Sequence, residues 1–434
     1  MLVLALGFDH VSDDDYARVT IAQAFAHAPR LDPSGTSWLP FPFWALGSVM
    51  IAAGRSLAVA RVSSITLASL AATLPYLALR STGATRGRAM LAVAFATLSP
   101  WSLWLGAATV PESFTASFTA AAAIALGAEA APEPGIAKGA RRLGLAVALL
   151  AACLSRYEVW PVAAVLAVVL AVRGLREHRD PSTGAKARGR STFLLAAIVA
   201  IGPLAWMAWN LHAHGDAFHF FHRVARYKRA LGESPSGTFE ALILYPRLLL
   251  GMRPDVLVAL ACALVAVWSS KVSTLEWKRR WRVPLVCAAA QIVFLAVGNA
   301  RDGAPAHHSE RALLGVVFLT AACAADVLAG AVRTALDRAR GLAFGSLALA
   351  TLSWLATCVV ALRDVPGSGA AEDRAPQLAA GKKLRAEGAA ELELTPCAYE
   401  HFALIAAYGS PEHVLSRPPA GTTVSATCPT VERR

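Results

Sequence analysis

The sequence predicts an all-α polytopic membrane protein of about 10–11 transmembrane helices, with a small α/β segment at its C-terminal end. The first observation is composition: 56% of the 434 residues are hydrophobic and 16% are charged, whereas about 25% are charged in a soluble domain. Mean hydropathy is +0.49. The second observation is that apolar runs recur along the chain, and the third is that basic residues concentrate in the short loops between them.

The apolar runs define the predicted spans, because about 20 apolar residues cross a bilayer. They are 56–79, 89–107, 112–128, 143–154, 158–172, 192–210, 250–269, 283–299, 311–332 and 342–362. We therefore expect a transmembrane domain over residues 1–363.

The loops between these runs are of two alternating kinds. Five are basic, and the others carry acids, His, Trp and Pro. By the positive-inside rule the basic loops are cytoplasmic and the others, including a first loop over 9–55, face outward. This topology requires that the segment from Trp38 to Ala53, with Pro40 and Pro42, does not cross the membrane but lies at its interface. The net charge of +12 then reflects topology, and we expect no nucleic-acid partner.

The two ends of the chain carry separate expectations. The apolar start from Met1 to Phe8 is too short to span a bilayer or to form a cleavable signal peptide, so a truncated first helix is expected. Residues 364–434 follow a Gly/Ser/Pro-rich linker and predict helix 378–387, strand 391–395, helix 399–408 and strand 413–416. This tail is the expected outward-facing appendage. Its Cys397 and Cys428 could form a disulfide in an oxidising compartment.

The first outward loop holds the main candidate for chemistry. Asp13, Asp14 and Asp15 are consecutive and repel one another, so the fold must hold them for a cation, a proton or a hydroxyl. A carboxylate there can act as a general base or help to bind a divalent cation. The alternative is a solvated acidic cluster at the start of a helix over 16–28, where the helix dipole favours acids.

A second set of candidates lies in later outward loops. Arg156 and Glu158 form either a structural ion pair or a site at which Arg156 binds an anionic head group. Glu112 is either a further site residue or an acid favoured by a helix N-terminus. No Cys or His spacing suggests zinc.

Two basic segments complete this set. The segment 211–230, which includes Arg223 and Arg226, suits the phosphate of a lipid carrier or simple contact with anionic lipids. His307 and Arg311 lie at the next helix start, where helix capping is the alternative.

Several short motifs resemble one known family. They are SDDDYARV at 12–19, TSWLPFPFWALG after it, VPES around Glu112, SRYEVWP around Arg156, the late RALL and the tail segment CAYEHFALIAAYGSPEHV. On these motifs the chain resembles the GT-C superfamily of membrane glycosyltransferases, of the protein O-mannosyltransferase and aminoarabinose-transferase type. The resemblance covers most of the chain, through short motifs.

The resemblance implies a GT-C-like helix bundle that uses a polyprenyl-phosphate-linked sugar as donor. The acceptor would be a hydroxyl group on a lipid, a glycan or a protein. The first-loop acid of the family falls on Asp13, with Asp14 as its neighbour, and either is expected to be the general base. The expected substrate-binding residues are Asp15, Glu112, Arg156, Glu158, Arg223, Arg226, His307 and Arg311. A divalent cation at Asp13–Asp15 is possible.

The expected location is the bacterial inner membrane, among membrane lipids, with the site facing the periplasm. A lipid-linked sugar flippase or transporter is one alternative, and a non-catalytic membrane protein of the same fold is another. A transporter would place ionisable residues at mid-membrane in several helices. The predicted helices are nearly free of charge away from their ends, with Arg61 and Asp326 as the main exceptions, and this favours the enzyme.

Overall fold

The computed structural model describes residues 2–5, 7–128, 136–182, 184–230, 237–270, 274–303, 308–334, 337–363, 373–394 and 400–416. These residues form eighteen α-helices and one two-stranded sheet. The predominantly helical fold agrees with the prediction.

The helices follow one another along nearly the whole chain. They are α1 (Leu2–Ala5), α2 (Asp14–His27), α3 (Phe41–Ala53), α4 (Leu57–Ser81), α5 (Arg86–Thr97), α6 (Pro100–Ala107), α7 (Glu112–Gly127), α8 (Ile136–Cys153), α9 (Trp160–Arg179), α10 (Ala185–His214), α11 (His219–Ala230), α12 (Thr238–Met252), α13 (Pro254–Ser270), α14 (Thr274–Ala300), α15 (Leu314–Thr334), α16 (Asp337–Arg363), α17 (Ala375–Ala386) and α18 (His401–Tyr408). The strands are β1 (Leu392–Leu394) and β2 (Val414–Ser416), and short 3-10 helices cover Tyr157–Val159, Ser309–Leu313 and Pro411–His413.

The number of membrane-spanning helices is given by their length and composition. Within the described residues, six helices are long and apolar enough to cross a membrane, or up to eight if each of two bent helix pairs is one span. This agrees with a polytopic membrane protein, while the finer count of 10–11 spans stays a prediction. Helix α3 has 13 residues and is about 20 Å long, too short for a hydrocarbon core of about 30 Å. Its length suits the expected interfacial position.

The chain divides into two compact units. The first unit contains residues 1–69, 103–111 and 364–434, and the second contains residues 70–102 and 112–363. The tail elements therefore group with the N-terminal segments. The division at residue 363 into a transmembrane domain and a separate appendage stays a prediction.

The first unit has a core formed by α2, α3 and α18. Tyr16 and Val19 of α2 are buried against Met50 of α3 and Ala406 of α18. The Gln23 side chain is fully buried, and its Nε2 donates to the Ala406 carbonyl oxygen at 2.8 Å. Burial of apolar area is the main stabilising contribution here, and the amide hydrogen bond fixes the register between α2 and α18.

The tail elements lie close to their predicted positions. Strands β1 and β2 pair in parallel, with Leu392 opposite Val414. Helices α17 and α18 approach closely at Gly381, where an added Cβ would lie 2.2 Å from the Leu404 carbonyl oxygen. Only glycine allows this approach. Cys397 and Cys428 are outside the described residues, so their disulfide stays a prediction.

The second unit is organised around α15. This helix packs against α5, α7, α13, α14 and α16. In its most apolar stretch of 18 residues, 89% of the residues are buried. In the most apolar stretch of 18 residues in α16, only 6% of the residues are buried, and Leu352 and Val359 are among the exposed apolar side chains. Apolar exposure on this scale is unfavourable in water and suits lipid contact.

One break in the second unit carries a buried charge. Helices α12 and α13 meet at an angle of 87°, and Arg253 occupies the junction. Its guanidinium donates to the Asp255 carboxylate at 2.8 and 2.9 Å and to Ser99 Oγ at 3.2 Å. The two buried charges at the break between these helices therefore compensate each other.

Candidate functional site

The predicted catalytic acids lie in the first unit, in a segment we call the acidic loop (residues 9–15). Helix α2 begins at Asp14, so Asp14 and Asp15 occupy its first turn, where the helix dipole favours carboxylates. Asp13 is the N-cap residue, but its side chain makes no capping hydrogen bond. The three consecutive aspartates have different surroundings.

Asp15 is a buried acceptor that fixes the loop. Its carboxylate accepts hydrogen bonds from the backbone N–H groups of Val11 and Ser12 at 3.2 Å each and of Thr109 at 3.0 Å. Only 3% of the residue is exposed. These contacts give Asp15 a structural task, and its expected role in substrate binding stays a prediction.

Asp13 is held by an arginine from the tail. Arg374 Nε and Nη2 donate to the two oxygens of the Asp13 carboxylate, each at 2.8 Å. This two-point geometry is the strongest arrangement between an arginine and a carboxylate. Asp14 is half-buried on the first turn of α2. Asp13 and Asp15 therefore accept hydrogen bonds from other parts of the protein. The alternative of a simply solvated cluster does not describe these two residues.

Asp9 forms a further cluster with Arg61 of α4. Its carboxylate contacts the Arg61 guanidinium, the Tyr16 hydroxyl and the His10 ring. Burial alone would raise the pKa of Asp9, but hydrogen bonds from His10 and Tyr16 and the charge of Arg61 hold that pKa well below its usual range. Burial, followed by the bond to Asp9, raises the pKa of Tyr16. Arg61, an isolated charge in an apolar run, was the sequence signal for this cluster.

A divalent cation is expected at Asp13–Asp15, and it would need ligands from several side chains. Across the part of the chain that the structure describes, no group of three or more His, Cys, Asp or Glu side chains is arranged to hold a metal ion. Asp13 and Asp15 are oriented towards different partners. Metal binding at this cluster stays a prediction.

The other predicted acids meet around Arg156 in the second unit. Arg156 Nη1 donates to Glu112 Oε1 at 2.9 Å, and its Nε donates to Glu158 Oε1 at 2.7 Å. Glu112 begins α7, and Glu158 lies in the 3-10 helix before α9. The Arg156–Glu158 ion pair, one of the two alternatives for these residues, is present and extends to Glu112. The alternative, in which Arg156 binds an anionic head group, stays a prediction.

A small cavity opens beside this ion-pair group, and we call it the polar cavity. It has about 220 Å³ of unfilled space, which includes open solvent, and room for no more than about one water-sized group. Its polar lining residues are Glu112, Thr115, Thr119, Glu158, Gln291 and Arg311. The cavity therefore brings three of the predicted substrate-binding residues together.

Two polar atoms on neutral side chains that line the cavity have no hydrogen-bond partner. They are Thr115 Oγ1 and Gln291 Oε1, on residues that are 4% and 2% exposed. The Gln291 Nε2 donates to the Ala312 carbonyl oxygen at 2.9 Å. An added Cβ at Gly315 would lie 3.1 Å from Gln291 Oε1, so the glycine leaves room for the amide. Neither residue was among the predicted site residues, although a glutamine inside an apolar run was an available signal.

The basic segment forms α11, an amphipathic helix. Arg226 is exposed and Arg223 is half-buried, and the rings of His214 and His219 stack at 4.0 Å. Burial and the nearby charges of His214 and Arg223 lower the pKa of His219. Phosphate binding by Arg223 and Arg226 stays a prediction. His307 lies outside the described residues.

Asp326 holds a third charged group in the second unit. Its fully buried carboxylate accepts hydrogen bonds from Arg88 Nε at 2.8 Å, Arg280 Nη1 at 2.7 Å and Trp281 Nε1 at 2.9 Å. The group joins α5, α14 and α15. The isolated acid in an apolar run was a sequence signal, but its two arginine partners were not predicted.

The site residues thus form two groups, the acidic loop in the first unit and the polar cavity in the second. Comparison of the chain with protein-family models, with curated proteins and with solved structures found no match.

Proposed function

We propose that the protein is a membrane glycosyltransferase that moves a sugar from a polyprenyl-phosphate donor to a hydroxyl acceptor on the extracytoplasmic face. The observation that carries this proposal is the division of tasks in the acidic loop. Backbone amides hold Asp15, Arg374 holds Asp13, and Asp14 is a half-buried residue of the first turn of α2. A carboxylate on a rigid support is what general-base catalysis requires.

The proposed step is a direct displacement at the anomeric carbon. The acceptor hydroxyl oxygen attacks that carbon while its proton passes to the Asp14 carboxylate. The bond between the anomeric carbon and the phosphate oxygen breaks, and polyprenyl phosphate leaves with the electron pair, so the configuration inverts. No general acid is needed because a phosphate is a good leaving group, unlike the alcohol released in glycoside hydrolysis.

Positive charge must stabilise the departing phosphate. Arg223 and Arg226 are the residues proposed for this task, since both lie in a segment that the sequence predicts to face outward. Arg311 is not proposed for it, because it lines the polar cavity beside Glu112 and Glu158. Arg156 is a weaker candidate than the sequence suggested, because two carboxylates already compensate its charge.

Asparagine substitutions in the acidic loop test the proposed base. Asp14→Asn and the double variant Asp13→Asn/Asp14→Asn are expected to lower transfer by about 100-fold or more, the usual effect of losing a general base. Asp13→Asn alone should have a smaller effect. The assay follows release of polyprenyl phosphate in proteoliposomes supplied with polyprenyl-phosphate hexose and amino-sugar donors and a membrane lipid extract.

Asp180→Asn is the matched control, because Asp180 is an exposed turn residue and the charge change is identical. The donor class is tested separately by mass spectrometry of lipid that co-purifies with the protein. Full transfer by the folded double variant would rule out the catalytic assignment.

A second candidate function is movement of a lipid-linked sugar across the membrane. Two observations favour it: the 87° break between α12 and α13, and the buried Asp326 carboxylate with its two arginines. Broken helices and buried ionisable groups are typical of carriers. A liposome assay that measures appearance of the sugar lipid in the opposite leaflet separates the two functions. A carrier moves the lipid unchanged, and its rate is insensitive to Asp13→Asn/Asp14→Asn.

A further inference from the structure

The unpartnered atoms of the polar cavity indicate a ligand. A buried polar atom without a hydrogen bond is destabilising, and Thr115 Oγ1 and Gln291 Oε1 both line the same small space. We propose that the polar cavity binds one hydroxyl group of a neutral carbohydrate or polyol.

The charges around the cavity select this chemistry. Glu112 and Glu158 are offset by the arginine that pairs with both and by Arg311, so the surroundings of the cavity are balanced in charge. An anion or an ammonium group would bring an unbalanced charge into this buried space. A carboxylate, in addition, has no hydrogen to donate to Gln291 Oε1. A hydroxyl group donates and accepts at once. It can donate to the Gln291 oxygen and accept from Thr115 or Arg311, with no net charge to desolvate.

The dimensions suit a single hydroxyl with a larger body outside. The cavity has room for no more than about one water-sized group, and its unfilled space of about 220 Å³ includes open solvent. A sugar would thus place one hydroxyl in the cavity and keep its ring outside. Gly315 is part of this fit, because a side chain there would press on the Gln291 amide.

The inference deepens the proposed function and rests on it for the expectation that the hydroxyl belongs to a sugar. Binding is therefore measured apart from transfer. The sugar can be free or lipid-linked, so the probes are radiolabelled methyl glycosides of glucose, mannose and galactose in one arm and polyprenyl-phosphate mannose in the other. Inorganic phosphate is the anionic comparison, and the full chain is held in lipid nanodiscs.

Two variants remove the proposed contacts. Thr115→Val deletes the unpartnered hydroxyl at constant shape, and Gly315→Ala displaces the Gln291 amide. Each is expected to weaken sugar binding by about threefold to tenfold, the usual effect of one neutral hydrogen bond. Thr320→Val is the matched control, because the Thr320 hydroxyl donates to the Val316 carbonyl oxygen within α15 and lies outside the cavity lining. It should bind like the wild type.

The unliganded stability of Thr115→Val separates loss of binding from loss of fold. Removing an unpartnered buried hydroxyl is expected to leave the melting temperature unchanged or higher. The proposal is overturned if no sugar probe binds saturably, if inorganic phosphate displaces the methyl glycosides, or if both cavity variants bind as tightly as Thr320→Val. Asp13→Asn/Asp14→Asn should bind sugar normally. If that variant also retains transfer, the proposed function fails while the cavity inference stands.

Discussion

The acidic loop and the polar cavity both collect charged side chains, but they satisfy polar atoms in different ways. In the acidic loop, the carboxylates of Asp9, Asp13 and Asp15 are matched by arginines, a tyrosine hydroxyl and backbone N–H groups. In the polar cavity, an arginine bridges two glutamates while two neighbouring polar atoms lack partners. The acidic loop is therefore satisfied within the protein, whereas the polar cavity has polar atoms that the proposed hydroxyl ligand would satisfy.

The largest expected effect comes from removing Arg156, whose positive charge pairs with both cavity glutamates. In Arg156→Met, Glu112 and Glu158 are left as two buried like charges, which should destabilise the protein by about 3–5 kcal/mol. Unfolding in detergent measures the loss. Adding Glu112→Gln and Glu158→Gln should recover part of the stability. A loss below about 1 kcal/mol would mean that the group is not buried as the structure shows.

The acidic loop should respond nearly as strongly at Asp15. Asp15→Ala leaves the N–H groups of Val11, Ser12 and Thr109 without an acceptor, and a cost of about 2–3 kcal/mol is expected. The same unfolding assay applies. Asp15→Asn should cost less because one acceptor oxygen remains. Equal stability of the alanine variant and the wild type would contradict the structural task given to this residue.

A smaller effect is expected for the bond between Asp13 and Arg374. The Asp13 side chain is 21% exposed, so solvent weakens the pair and a coupling free energy of about 1 kcal/mol is expected. A double-mutant cycle with Asp13→Asn and Arg374→Gln measures it. Additive single effects would show that the two side chains do not interact in solution.

The smallest effect is a pH dependence at Asp9. Because its pKa is lower in the folded than in the unfolded protein, Asp9 adds stability that is complete above the unfolded value of about 4 and is lost as the pH falls. The melting temperature of the wild type should therefore exceed that of Asp9→Asn near neutral pH. That difference should narrow below about pH 4. A difference in melting temperature that grows on acidification would contradict the lowered pKa of Asp9.

The helical membrane character followed from composition and apolar runs, because both depend on local sequence alone. The positions of α17, β1, α18 and β2 also followed from local pattern. The partners of Asp13 and Asp326 did not, because Arg374 and Arg88 lie 361 and 238 residues away along the chain. Without homologous sequences, nothing in either local pattern marks such a pair.

The charged residues of the polar cavity could be predicted from the sequence, whereas its neutral polar residues could not. The sequence analysis selected Glu112, Arg156 and Glu158 because ionisable residues are conspicuous in apolar surroundings. Thr115 and Gln291 were missed because a threonine or glutamine in a helix is unremarkable until its surroundings show that its side chain is unsatisfied. That information exists only in the packed structure.

The pairing of Asp13 with Arg374 has a consequence for the order of assembly. The ribosome makes the acidic loop first, whereas its arginine follows 361 residues later, after the helices of the second unit have been synthesised. Gln23 and its acceptor Ala406 are separated by 383 residues. Contacts this distant in sequence form late. A nascent chain therefore carries Asp13 without its arginine through nearly all of its membrane insertion, and the loop gains its final geometry only as translation reaches the tail.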